Sequence, residues 1–172
     1  MLPQSTIRQR VLSITIQLPY ETAEVFRFWV TPRLLAEWAS PTGMELTVSL
    51  FEPRLDGQYR FEHKNADGTW VTSGHIKVFE RNQRLEMADR LINPQGRVIY
   101  QALDCIVEFK DQAGMTELHL RQRGFPTKRM MQERHKTWKE SFDKLETLLS
   151  LEGSHHARKW EDEVTHDAET FM

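Results

Sequence analysis

Three ionisable side chains of the sequence lie on predicted apolar faces. Any chemistry that they carry out would therefore take place in a buried site. His63 and Asp89 lie on the apolar side of two alternating segments, and His135 lies on the apolar stripe of a helical segment. A buried carboxylate without a partner is costly, so we expect Asp89 to pair with a polar group or to have a raised pKa. A histidine beside it could orient a ligand or act as a general acid or base. Hydrogen-bonded core residues have the same pattern, and we expect this role more often than ligand orientation or catalysis.

The apolar residues on the same faces supply aromatic and aliphatic walls for a site of this kind. Large aromatic side chains also pack well in a filled core, so the pattern leaves a cavity and a filled core both open. The only cysteine faces the same way, and a buried free cysteine behaves as a small hydrophobic residue. The candidate ligand-binding residues are Trp38, Phe61, His63, Trp70, Thr72, Met87, Asp89, Leu103, Cys105, Leu118, Gln122, His135, Trp138 and Phe142.

Motifs that would hold a metal or a cofactor, or supply a nucleophilic serine, are absent from the sequence. It has no CxxC or HExxH, no phosphate-binding glycine loop and no G-x-S-x-G. His155, His156 and His166 lie among acidic residues near the end of the chain, without the fixed spacing on a rigid element that a metal site needs. We therefore expect no metal and no cofactor, and we assign no catalytic residue.

Composition and charge narrow the class of protein. The chain has 172 residues, which is about the size of one domain, and its formal net charge of −2 argues against a nucleic-acid binder. Its single cysteine excludes an intramolecular disulfide. The longest run without charge, residues 11–20, is far shorter than the ~20 residues of a membrane-spanning helix. We expect a cytoplasmic protein without a membrane span; the sequence leaves its oligomeric state open.

Hydrophobic periodicity predicts the elements that must position these side chains. Alternation predicts a strand over residues 11–18, and helical spacing predicts two short helices after it, the second beginning at Pro32. Period-two patterns then predict strands over residues 46–50, 59–63, 70–78, 85–91, 103–109 and 116–122. In two of these strands, Leu46, Val48 and Leu50 share one face, and Trp70, Thr72, Gly74, Ile76 and Val78 share another.

One long helix closes the pattern, with an apolar stripe that runs from Met131 to Leu149 and an expected end at Gly153. Residues 152–172 carry six acidic and two basic residues with few apolar ones, so we expect one domain over residues 1–151 and a mobile acidic tail over 152–172. A basic cluster precedes and begins the helix: Arg121, Arg123, Lys128, Arg129 and Arg134. We expect these charges to form a solvated rim, and the alternatives are binding of an anionic ligand, of a protein partner or of the acidic tail.

This order of elements favours an α+β fold in which an antiparallel meander is covered by its only long helix. Four segments carry a resemblance to known proteins: residues 21–29 (ETAEVFRFW) with the following PRLLAEW, 55–61 (LDGQYRF), 74–85 (GHIKVFERNQRL) and 138–149 (WKESFDKLETLL). In this order they resemble the SRPBCC superfamily, and within it they are most similar to the heat-shock-chaperone ATPase activator (Aha-type) homologues. The resemblance covers roughly residues 10–151 and departs from the family pattern at Asp56, where a second glycine is common.

The resemblance implies a helix-grip fold, in which a curved antiparallel sheet of six to seven strands wraps around the C-terminal helix and leaves a ligand-sized cavity. The family has no fixed catalytic motif, so it implies no catalytic residue. We expect binding of a small hydrophobic or amphipathic ligand in that cavity. Two alternatives stay open: a protein-interaction module of the chaperone-activator type, and a cyclase, dehydratase or hydrolase that uses His63, Asp89 or His135.

Overall fold

The computed structural model describes residues 10–170 of the chain, with side chains described for residues 10–152. Along the described residues the chain forms one strand, two short helices, six strands and one long helix. Their order is β1 (Val11–Leu18), α1 (Thr22–Val30), α2 (Pro32–Trp38), β2 (Glu45–Phe51), β3 (Gln58–Asn65), β4 (Gly68–Glu80), β5 (Arg84–Ile92), β6 (Val98–Gln112), β7 (Met115–Arg123) and α3 (Lys128–Thr170). The predicted α+β class and helix-grip architecture are confirmed.

The seven strands form one curved antiparallel sheet in the order β1-β7-β6-β5-β4-β3-β2. Strands β2 to β7 follow one another as hairpin neighbours, because each is joined to the next by a short connection. The first strand lies beside the last one, with Val11 opposite Arg123 and Leu18 opposite Thr116. This pairing brings the start of the chain next to the strand that leads into α3.

The core lies between the concave face of the sheet and the three helices. Aromatic rings join the helices: the ring centroids of Trp29 and Trp38 are 4.8 Å apart, and those of Trp29 and Trp138 are 5.9 Å apart. The stripe of α3 continues with Phe142, Leu145 and Leu149, which are all buried. The apolar periodicity of the sequence therefore identifies the buried side of α3 correctly from Trp138 onward.

Two bulges reverse the side-chain alternation that the sequence predicts. A register shift between Val48 and Leu50 leaves Leu50 41% exposed on the outer face and turns Phe51 inward. A second shift, after Ile76, turns Phe79 toward the core, where its ring lies 5.7 Å from that of Phe26. The expected shared faces are therefore wrong at Leu50 and Val78, because one extra residue in a strand inverts every later position.

The long helix continues to Thr170, so the expected end at Gly153 is wrong. The side chains that would test the acidic tail, its histidines and its docking on the basic cluster lie outside the described residues. Within the described part of the chain, none of the helices combines the length and the hydropathy of a membrane span.

Candidate functional site

A small enclosed cavity lies between the concave face of the sheet and the helices. Its volume is about 50 Å³, which holds only a few water molecules. Ligand pockets usually have at least ~300 Å³, so this inner cavity alone is too small for one. Its walls are mostly aromatic and aliphatic: Trp29, Leu35, Trp38, Ala39, Phe51, Tyr59, Phe61, His63, Thr72, Ile76, Leu85, Met87, Asp89, Cys105, Arg134 and Trp138.

A larger groove lies next to this cavity, between strands β3 to β6 and the first turns of α3. Its volume is about 430 Å³, it is more open to solvent, and its size falls in the usual range of ligand pockets. Most of its walls are also apolar: Pro41, Met44, His63, Asn65, Trp70, Thr72, Leu91, Ile99, Tyr100, Phe125, Met130, Glu133, Arg134 and Thr137. We call this space the outer groove.

Three polar side chains border both spaces and form what we call the neck. His63 comes from β3, Thr72 from β4 and Arg134 from α3. Alternation along the two paired strands turns His63 and Thr72 to the same side of the sheet, and the helix brings Arg134 opposite them. The neck therefore places a small group of hydrogen-bonding atoms between two apolar spaces.

His63 is held at the neck by two hydroxyl groups. Its Nδ1 lies 3.0 Å from Ser40 Oγ, and its Nε2 lies 3.4 Å from Thr72 Oγ1. Burial lowers its pKa to about 4, and the positive charges of Arg134 and Lys144 act in the same direction. The imidazole is therefore neutral at pH 7. No described carboxylate hydrogen-bonds to His63, so the ring lacks the acidic partner that commonly orients a general base.

Asp89 belongs to a buried hydrogen-bonded network that connects the sheet with α3. Tyr59 donates its hydroxyl hydrogen to Oδ1 of Asp89, and Nε2 of Gln122 donates to Oδ2 at 3.3 Å. The indole Nε1 of Trp138 donates to Oε1 of Gln122 at 2.8 Å. Burial raises the pKa of Asp89, and the hydrogen bond from Tyr59 partly opposes this. Both carboxylate oxygens are occupied by protein donors, which favours a structural role over a catalytic one.

Gly74 makes the contact between Tyr59 and Asp89 possible. On β4, Gly74 is paired with Tyr59 of β3 on one side and with Asp89 of β5 on the other. A Cβ at this position would lie 2.6 Å from the Tyr59 hydroxyl and 2.0 Å from the carbonyl oxygen of Ala88. Only glycine leaves room for the phenol to cross the strand.

Arg134 differs from the other arginines of the basic cluster. Arg121 pairs with Glu108, Arg123 with Asp104 and Arg129 with Glu133, at 2.9, 2.9 and 3.1 Å. Arg134 forms no such pair with a described carboxylate, and its Nε is buried without a hydrogen-bond partner among the described residues. Its guanidinium carbon lies 4.6 Å from the centre of the Trp138 ring. Three arginines of the cluster are therefore paired, whereas Arg134 lies at the neck.

The residues singled out from the sequence fall into three groups. Eight border the inner cavity: Trp38, Phe61, His63, Thr72, Met87, Asp89, Cys105 and Trp138. Trp70 borders only the outer groove. Five border neither space: Leu103, Leu118, Gln122 and Phe142 are buried in the core, and His135 is half-buried on α3. The site does not bring His135 together with His63 and Asp89, because α3 turns Trp138 and Arg134, rather than His135, toward the cavities.

The sequence does not predict Ser40 as a site residue, gives Tyr59 no role in the site and indicates Arg134 only as part of the basic cluster. For Arg134 a signal was available, because it lies four residues before Trp138 and so on the same side of the helix. For Tyr59 the signal was Gly74, a strand glycine on the predicted inward face that indicates the close approach of another group. Ser40 follows α2 in an irregular segment, where no periodicity predicts its direction. Among the described residues, no three potential metal ligands form a group.

A curved sheet wrapped around a C-terminal helix, with two short helices after the first strand, defines the helix-grip class of SRPBCC-type proteins. A family model matches residues 19–150, and its description is Activator of Hsp90 ATPase homolog 1-like protein. The chain therefore belongs to this family, as its resemblance to the chaperone-activator homologues suggested. No curated protein matches the chain.

Solved structures of low sequence identity share the fold. The AHSA1 protein from Silicibacter pomeroyi has a TM-score of 0.73 at 19% identity, over 83% of this chain and 99% of that one. A protein from Arthrobacter aurescens has a TM-score of 0.74 at 17% identity, over 84% and 88%. A protein from Chromobacterium violaceum has a TM-score of 0.71 at 18% identity, over 80% and 96%. At these identities the likeness concerns the fold alone.

Proposed function

We propose that this protein binds a small apolar or amphipathic molecule in the outer groove. The observation that carries the proposal is an open space of about 430 Å³ with mostly apolar walls and a few polar groups at the neck. Removing apolar surface from water supplies about 25 cal/mol per Å² before the costs of association. The polar groups would then fix the orientation of the ligand.

The first test uses Nile red, a neutral apolar dye whose fluorescence rises when it leaves water. Met130→Trp places a larger side chain in the wall of the groove, so we expect it to weaken dye binding at least tenfold. Met115→Trp is the matched control, because Met115 lies 41% exposed at the start of β7 and borders neither space. Equal dye affinity in the two variants would place the dye elsewhere and contradict the proposal.

The second test looks for a natural ligand. Native mass spectrometry of freshly purified protein, repeated after denaturation, would show extra mass only in the native spectrum if a small molecule stays bound. The expected result is such a difference in the parent protein and its loss in Met130→Trp. The identity of the released molecule would then name the ligand class.

A second candidate function follows from the family description, which names an activator of the Hsp90 ATPase. In this alternative the domain contacts the chaperone and changes its rate of ATP hydrolysis. The test measures hydrolysis by purified Hsp90 from the same organism, with and without an equimolar amount of this protein. A rate that stays at the value of Hsp90 alone would remove this candidate, whatever the outcome of the dye experiment.

A further inference from the structure

We propose that the molecule bound in the outer groove ends in a carboxylate and that Arg134 binds this carboxylate at the neck. The inference rests on the proposed function and makes it narrower, since it names the charge and the orientation of the ligand. Its basis is the position of Arg134 between two apolar spaces, without an ion pair to any carboxylate of residues 10–152.

Arg134 has what an anion-binding residue needs. Arg134 borders both the inner cavity and the outer groove, it forms no ion pair with a described carboxylate, and its Nε has no hydrogen-bond partner among the described residues. The ring of Trp138 supports it from one side, with 4.6 Å between the guanidinium carbon and the ring centre. A planar guanidinium binds a carboxylate through two parallel hydrogen bonds, and these charge-assisted bonds are stronger than neutral ones.

The carboxylates around the neck have other hydrogen-bond partners, although the charge of Asp89 lies near enough to interact with that of Arg134. His63 hydrogen-bonds to two neutral hydroxyls, and the oxygens of Asp89 accept hydrogen bonds from Tyr59 and Gln122. Glu133 also borders the groove, but its carboxylate accepts a hydrogen bond from Nε of Arg129 at 3.1 Å. An incoming carboxylate therefore meets a cation without first having to displace a protein anion.

The shape of the two spaces sets the direction of the ligand. The inner cavity, at about 50 Å³, is too small for an extended chain, whereas the outer groove has about 430 Å³. The carboxylate therefore lies at the neck, and the apolar body extends outward along Trp70, Leu91, Ile99 and Met130. A fatty acid of medium length has this combination of one charged end and an apolar body.

The experiment compares decanoate with decanol, which have the same chain and differ in charge. Each displaces Nile red from the wild-type protein, from Arg134→Gln and from Arg134→Lys, and Lys136→Gln removes an exposed charge of the same helix as a control. We expect decanoate to bind at least tenfold more tightly than decanol to the wild type and to Lys136→Gln. Arg134→Gln should abolish this preference by weakening decanoate binding more than decanol binding, and Arg134→Lys should keep part of it.

The outcomes separate the inference from the function on which it rests. Failure of Nile red to bind the wild type would overturn the proposed function. If the dye binds but decanol and decanoate displace it equally well, the groove binds apolar molecules and the carboxylate inference is wrong. A preference for decanoate that persists in Arg134→Gln would equally overturn the role of Arg134. The wild-type comparison needs no variant, so it decides whether the groove prefers a carboxylate even if Arg134→Gln folds poorly, and Arg134→Lys then tests the role of Arg134.

Discussion

At the scale of single residues, the buried hydrogen-bonded network of Asp89 depends on a glycine. Gly74 lies between Tyr59 and Asp89 on neighbouring strands, and its missing Cβ gives the phenol a path to the carboxylate. A buried carboxyl group without donors would cost stability, so this space is what makes Asp89 tolerable in the core. The network in turn reaches Gln122 and Trp138. One glycine thus supports polar contacts across three strands and a helix.

Gly74→Ala tests this dependence. The added methyl group would overlap the carbonyl oxygen of Ala88 and the Tyr59 hydroxyl, so we expect a loss of about 3 kcal/mol or more in the free energy of unfolding. Gly96→Ala is the control. That glycine has φ +80 and open space around it, so its substitution adds only backbone strain of about 1 kcal/mol. Urea denaturation measures both, and equal losses would contradict the steric argument.

His63 should make stability depend on pH in a defined window. Its pKa in the folded state, about 4, lies below the ordinary value of 6.5, so the unfolded chain binds a proton first as pH falls. The contribution of His63 to the free energy of unfolding is therefore fully present above pH 6.5 and is lost as pH falls toward 4. The full shift corresponds to about 3 kcal/mol as an upper value.

The measurement is urea denaturation at several pH values between 7 and 4. His63→Gln, which keeps polar contacts to Ser40 and Thr72 without an ionisable ring, should reduce the loss of stability across this window. His75→Gln is the matched control, since His75 is exposed on β4. The same pH dependence in wild type and His63→Gln would show that other groups cause the acid destabilisation.

At the scale of elements, the sequence predicts where strands and helices lie better than it predicts where their later side chains point. All seven strands and the three helices follow from periodicity, because alternation and helical spacing persist over most of each segment. The side on which Leu50 and Val78 fall does not follow. A bulge arises from the pairing of two strands, so the residue pattern of one strand does not predict it. Phe51, a wall of the inner cavity, was missed for this reason.

The hydrogen bond between Trp138 and Gln122 should couple α3 to the sheet energetically. Trp138→Phe leaves the amide oxygen of Gln122 buried without its donor, and Gln122→Met removes the acceptor. A double-mutant cycle of these two changes should give a coupling of about 1 kcal/mol in chemical denaturation. A cycle of Trp138→Phe with Thr116→Val should give almost none, because Thr116 bonds to the carbonyl oxygen of Tyr20 instead. Equal coupling energies in both cycles would contradict a specific coupling of α3 to the sheet through this hydrogen bond.

At the scale of the whole molecule, the site depends on distances between elements that are far apart in sequence. Trp38, His63 and Trp138 lie on three separate elements, and their parity indicates only that each faces inward. How tightly α3 packs decides whether the space among them is filled or open. This packing leaves a small inner cavity with a larger groove beside it. The sequence pattern does not predict that the space is divided in this way. Arg134 gains its place at the neck from the same packing.

The boundary of the domain gives the last prediction. Leu145 and Leu149 are fully buried and Leu151 is 64% exposed, so the packing of α3 on the sheet ends near this point among the described side chains. Glu152 adds only a partly exposed pair with Arg27, at 3.4 Å. We therefore expect a chain that ends at Glu152 to keep its free energy of unfolding within about 0.5 kcal/mol of the full chain.

A chain that ends at Asp143 provides the contrast, because it lacks both buried leucines and should fail to fold cooperatively. Circular dichroism with urea denaturation compares the three lengths, and Nile red affinity should be equal in the full chain and in the one that ends at Glu152. A loss of more than about 1 kcal/mol in the latter would mean that residues beyond 152 pack against the domain, since solvated helical turns contribute little to stability on their own.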